Sequence, residues 1–163
     1  MKTIFKHKTM KTTLILLMTL LLATGCTKDE HKDPQTIRFT EIGKGYLSGN
    51  GDEGIEKSNL VIKTKTEWET LMQKMNTSGN VTDNFTETDI DFNTYMVIAV
   101  FLDLKPTAWE VDIIKIIEGQ NNITVYKSQQ QFDATVIAQP YCIIKISPTN
   151  KEVVFNLKNH LNL

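Results

Sequence analysis

Leu14 to Leu22 is apolar at every position except Thr19, a continuous run with no helical or strand period. After it the pattern breaks into short segments whose period changes repeatedly. Thr36 to Leu47 alternates weakly and ends in Gly43-Lys44-Gly45-Tyr46-Leu47-Ser48-Gly49-Asn50-Gly51-Asp52-Glu53-Gly54. Five glycines in those twelve residues describe a loop that needs special backbone angles. Leu60 to Thr64 is read as a short strand. Thr66-Glu67-Trp68-Glu69 then has the form of a capping box, so a helix is expected from Glu67 to about Met75. Its Trp68, Leu71, Met72 and Met75 fall on one stripe, and Trp68 is assigned to core packing.

The segment from Asn76 to Asp91, rich in Thr, Asn and Asp, is read as a loop. Tyr95 to Leu102 is apolar at both parities, the mark of a central strand covered on both faces, with the helix on one of them. Trp109, Val111 and Ile113 alternate with Glu110 and Asp112, after which the apolar set slips to Ile114 and Ile116. A slip of one residue predicts a bulge. Gly119 to Asn122 turns the chain, Ile123 to Tyr126 returns as a hairpin partner, and Tyr141–Ile146 and Val153–Leu157 complete the set. Ser147 to Asn150 makes the turn between those last two. The expected fold is α+β: a mostly antiparallel sheet of about seven strands, barrel- or sandwich-like, with one packed helix.

Charge changes the reading of the first residues. Met1 to Lys11 is basic without a single acid, and the apolar run behind it is shorter than the roughly 20 residues a spanning helix requires. A basic start, a short apolar stretch and then small residues describe a secretory signal peptide, residues 1–25, and a leader starting at Met10 would serve equally. Ala23-Thr24-Gly25 runs into Cys26 and resembles the lipobox of bacterial lipoproteins, with Ala23 where leucine is usual. The resemblance implies acylation of Cys26 and a membrane anchored through it, stable when more than one chain is attached. Residues 26–35 read as a charged tether. Its Lys28-Asp29-Glu30 resembles the signal that sends some Bacteroidota lipoproteins to the outer face of the outer membrane. Residues 36–163 are assigned to one globular domain, long enough to bury its own core.

Removing the leader's four lysines leaves 14 basic against 19 acidic side chains, which argues against nucleic acid as a partner. The chemistry-bearing residues are sparse. Cys142 is the only cysteine besides Cys26, so no disulfide can form within the mature chain, and its phase with Ile144 and Ile146 makes it a small apolar side chain. Of the histidines, His7 lies in the leader, His31 in the tether and His160 near the end. No pair of histidines or cysteines has metal-ligand spacing, and no cofactor or catalytic residue is assigned. Asp52 and Glu53 lack the alternation of a calcium loop. Acids are plentiful, yet no spacing singles out a carboxylate pair.

Four segments taken together carry a family resemblance: Met96-Val97-Ile98-Ala99-Val100-Phe101-Leu102, Lys105-Pro106-Thr107-Ala108-Trp109, Gln139-Pro140-Tyr141-Cys142-Ile143-Ile144-Lys145-Ile146 and Glu152-Val153-Val154-Phe155. In that order, behind a capped Trp-containing helix, they resemble the C-terminal domain of the PrcB-like family, lipoproteins named for an accessory subunit of a bacterial surface protease complex. The likeness runs from Leu60 to Phe155. Members usually follow the Lys-Pro-Thr with two glycines and an aromatic residue, whereas this chain has Ala108-Trp109. The resemblance implies a non-catalytic adaptor that assembles with or stabilises another exported protein, a protease among the candidates. Lys105, Pro106, Thr107, Trp109, Pro140 and Tyr141 are its candidate partner-binding residues. Trp109 and Tyr141 also fit the core, in phase with Val111 and with Ile143.

Two rival readings use the same residues. Lys105 to Trp109 and Gln139-Pro140-Tyr141 faintly resemble two loops of chagasin-type cysteine protease inhibitors. Exposed Trp109, Tyr126 and Tyr141 would instead suit a glycan-binding module.

Overall fold

The computed structural model describes residues 33–158; the leader, Cys26 and all three histidines lie outside the described residues. Eight strands form two four-stranded sheets. Strands β1 (Gln35–Ile37), β5 (Trp109–Glu118), β6 (Asn122–Gln131) and β8 (Glu152–Leu157) make one, in the order β1-β5-β6-β8. Strands β2 (Thr40–Leu47), β7 (Gln139–Ile146), β4 (Met96–Phe101) and β3 (Ser58–Ile62) make the other, in the order β2-β7-β4-β3. Helix α1 (Lys65–Met75) lies on the second sheet. The fold is thus an open α+β sandwich rather than a barrel.

Strand β4 shows why its sequence lacks alternation. All six residues are buried. Val97, Ala99 and Phe101 meet Trp68, Leu71 and Met75 of α1, while Met96, Ile98 and Val100 meet Val111, Ile116 and Val125 of the opposite sheet. Strand β7 sits beside it and divides the same way, so Tyr141 and Ile143 face the helix while Cys142 and Ile144 face the other sheet. The expected bulge is present: the β5–β6 register shifts between Ile113 and Lys115.

Three expectations are corrected. Thr36 to Leu47 is two strands in different sheets, because Ile37 and Phe39 pack between the sheets whereas Ile42 and Leu47 pack on the helix side. The capping box is Thr64–Glu67, two residues earlier than expected. The chain contains two overlapping Thr-x-x-Glu boxes, and the earlier one lets Glu67 take the amides of both Lys63 and Thr64, at 3.1 Å each. Finally, the turn at Ser147 to Asn150 carries the chain to the other sheet instead of back along β7. Strand β7 ends where β6 begins, so the crossing chain enters the other sheet running parallel to β6, with Asn122 opposite Glu152.

The segment after α1 is more ordered than a plain loop. It holds a 3₁₀ turn at Val81–Asn84 and sends Phe85, Ile90 and Phe92 into the helix-side core. Trp68 stacks on Phe85 at 6.0 Å between ring centroids and donates its indole N–H to the Thr88 carbonyl at 2.7 Å. No described helix is long and apolar enough to cross a membrane.

Candidate functional site

Three loops meet at one end of the sandwich. Leu47 of β2 pairs with Gln139 of β7, Ser58 of β3 pairs with Phe101 of β4, and Trp109 of β5 pairs with Gln131 of β6. The loops leaving those pairs, residues 48–57, 102–108 and 132–138, therefore share an end. Backbone bonds tie them together. Lys105 and Ala138 exchange N–H···O bonds of 2.9 and 3.2 Å, and Ala108 N–H donates to the Ala134 carbonyl at 2.9 Å. Gly49 lies so close to the Ile137 carbonyl that a methyl group there would overlap it. Gly51 adopts φ 74° and Gly54 φ 58°, the left-handed region that glycine enters without strain.

The Lys105–Trp109 motif is internally braced. Thr107 Oγ1 accepts the Trp109 indole N–H and the Gln131 amide, each at 3.0 Å. The Lys105 ammonium stands 4.9 Å from the Trp109 ring centroid, a cation–π distance. Pro106 is exposed, while Lys105, Thr107 and Trp109 are half-buried. Trp109 thus lies at the margin of the core in which Val111 and Ile113 are fully packed.

Pro140 and Tyr141 are buried in β7 and present no binding surface. Tyr141 packs within 6.2 Å of both Phe85 and Phe101, and burial pushes its hydroxyl up to about 12. Tyr141 follows its shared phase with Ile143 into the core, whereas neither it nor Pro140 is available as a partner-binding group. With Gln139-Pro140-Tyr141 inside a strand, the second inhibitor-like loop is not a loop, and Tyr141 leaves the glycan-stacking trio. Cys142 is 1 % exposed, and burial raises its thiol to about 12, which keeps it protonated and unreactive.

Residues that the sequence pattern did not single out give this end its character. Leu104, Phe132 and Val136 are exposed, and Ile137 is 62 % exposed. All four sit on the two loops joined by the Lys105–Ala138 bridge. Beside them a cleft of about 520 Å³ is lined by Gly51, Ile55, Leu104 and Gln139, with the Lys57–Asp103 ion pair on its lip. Gln139 donates to the carbonyls of Ile55 and Leu102, fastening the first two loops to β7. Glu53 is buried and accepts the Ser48 amide, which holds the glycine loop closed. The available signal was an apolar Val136-Ile137 pair inside a segment with no strand period of its own.

In class the chain is an open α+β sandwich with an apolar three-loop end. No family model, curated protein or solved structure matches the chain.

Proposed function

We propose that this chain is a non-catalytic, lipid-anchored accessory subunit of the bacterial envelope that holds another exported protein through the three-loop end of its sandwich. The observation that carries the reading is the apolar group Leu104, Phe132, Val136 and Ile137, exposed on loops that are cross-tied by backbone hydrogen bonds. An apolar surface on a braced scaffold loses little conformational freedom on association, which favours protein recognition. The likeness of Lys105-Pro106-Thr107 to the PrcB-like pattern supports the same reading, and so does the position of that motif beside the patch. The anchor belongs to Cys26, and its acyl chains would place the domain at the outer membrane with Lys28-Asp29-Glu30 favouring surface display.

The deciding experiment is cross-linking and affinity capture of the tagged full chain from intact cells, comparing wild type with a Leu104→Asp/Ile137→Asp variant. Both positions are exposed, so the variant should keep its fold. A single dominant exported partner, reduced at least tenfold in the variant, is the expected outcome. Identical capture by both proteins would move the interface elsewhere. The Lys105–Thr107–Trp109 triple alanine variant is a poorer test, because Thr107 braces the loop through two hydrogen bonds.

A further inference from the structure

Strand β3 is an edge: β4 pairs one side of it, and among the described residues no strand pairs the other. Alternate residues from Ser58 to Ile62 therefore turn their N–H and C=O groups out of the ladder. Edge strands are normally blunted by a proline, a bulge or an inward-pointing charge. Ser58-Asn59-Leu60-Val61-Ile62 has none of these, its register with β4 is unbroken, and its only such protection is its short length and the flanking Lys57 and Lys63.

Helix α1 runs alongside and closes a groove of about 360 Å³ against this strand. Leu60, Val61, Ile62 and Leu71 supply its apolar lining. Two charged groups line it as well. The Glu67 carboxylate is occupied by the Lys63 and Thr64 amides and the Thr64 hydroxyl, which hold its pKa below the usual value. Lys74, in the last turn of the helix, forms no ion pair among the described residues. The groove thus carries a carboxylate already engaged by hydrogen bonds in the first turn of α1, and a cation without an ion-pair partner at Lys74 in the last.

We infer that the β3–α1 groove is a strand-addition site for an extended segment of a partner protein, apolar at alternate positions and acidic where it passes Lys74. An unpaired backbone edge specifies an extended occupant, because only a strand can supply donors and acceptors at its spacing. Every second side chain of such a strand would face Leu60 and Leu71. The cation selects an acid. A second copy of this chain is a poorer occupant, since its own Ser58–Ile62 strand carries no acid to meet Lys74. The site is separate from the three-loop end and does not depend on that reading.

The test is a displayed library of heptapeptides with alternating apolar residues and either acidic or basic ends, selected on the full chain. The best peptide is then made in plain, charge-reversed and backbone N-methylated forms and measured by fluorescence anisotropy and amide exchange. Acidic peptides should be enriched, and binding should protect the Ser58–Ile62 amides. N-methylation of alternate amides should abolish binding, and Lys74→Glu should weaken it about fivefold or more. The proposal is overturned if no peptide is enriched over a scrambled library, or if N-methylation leaves binding unchanged. It is equally overturned if Leu104→Asp/Ile137→Asp removes binding, or if the Ser58–Ile62 amides gain protection with protein concentration alone. Failure here leaves the capture experiment at the three-loop end untouched, so the two readings fail separately.

Discussion

The sheet β2-β7-β4-β3 ends in two edges that the chain treats in opposite ways. At β2 the register slips between Glu41 and Gly43, and the segment after the 3₁₀ turn folds over the slip. Thr86 donates its amide to the Ile42 carbonyl at 2.8 Å and its hydroxyl to the Glu41 carbonyl at 3.0 Å. Phe85 covers Gly43 so closely that any β-carbon there would overlap its ring. At β3 nothing comparable occurs. A bulge and a side-chain lid remove an edge from use, whereas β3 keeps an unbroken register and no described strand pairs its outer side. One helix serves both sides: Trp68 reaches toward the lid at Phe85 and Thr88, while Leu71 lines the open groove.

The comparison can be broken most severely at Trp68. Trp68→Ala empties a fully buried site, removes the stack on Phe85 and orphans the Thr88 carbonyl. A loss of about 3–5 kcal/mol is expected, read as a lower urea midpoint at constant slope. Gly43→Val comes next. Its side chain must displace the Phe85 ring, and overpacking of this kind costs about 1–3 kcal/mol. A loss within error of zero would show that the lid is not seated on β2.

How much of this contrast was legible beforehand depends on where the information lies. Residues Met96–Phe101 declared a doubly covered strand because burial on both faces removes polar positions altogether. The slip after Ile113 declared its bulge because one extra residue reverses the phase of everything beyond it. The helix stripe was equally plain, and only its cap was misplaced, between two boxes of identical chemistry. By contrast, the β2 slip falls among alternating glycines, which carry no side chain to show a change of phase. The split between β1 and β2 is set by which sheet Ile37 and Ile42 choose, a long-range decision with no local mark. The parallel entry of β8 is likewise dictated by where β7 ends. At the candidate site, Lys105–Trp109 stood out through its proline and tryptophan, but the exposure of Leu104 and Ile137 depends on what the fold leaves uncovered. Pro140 and Tyr141 erred for the converse reason: a conspicuous pair of residues proved to be core.

A gentler break is Thr86→Val, which keeps the shape of the side chain but deletes its hydroxyl. The loss should be about 1 kcal/mol. Cys142 sharpens the reading because it pairs with Lys44 of β2, so opening of that edge uncovers it. In the wild type, iodoacetamide should leave Cys142 unmodified at pH 8, since its thiol is buried and its pKa is raised to about 12. Thr86→Val should accelerate labelling at Cys142, resolved from Cys26 by peptide mapping. Labelling that rises equally in Lys74→Glu would mean that the two edges open together.

The smallest effect separates the edges by pH. Glu67 lines the β3 groove from the first turn of α1, and its carboxyl is held below the usual 4.5, first by the Lys63 amide and then by the Thr64 hydroxyl. A carboxylate depressed in the folded state contributes its stability in full above the unfolded value and loses it as pH falls through the folded one. Solvent screening limits that contribution to about 0.5 kcal/mol, since the group is exposed. Glu67→Gln should therefore lower the urea midpoint slightly at pH 7, and the gap to wild type should close as pH falls below the ordinary carboxyl value. Because Thr86 has no carboxylate in its lid contacts, the corresponding gap for Thr86→Val should stay constant over that range. A Glu67→Gln difference that persists unchanged in acid, where the carboxyl is protonated, would assign the residue's role to packing rather than charge.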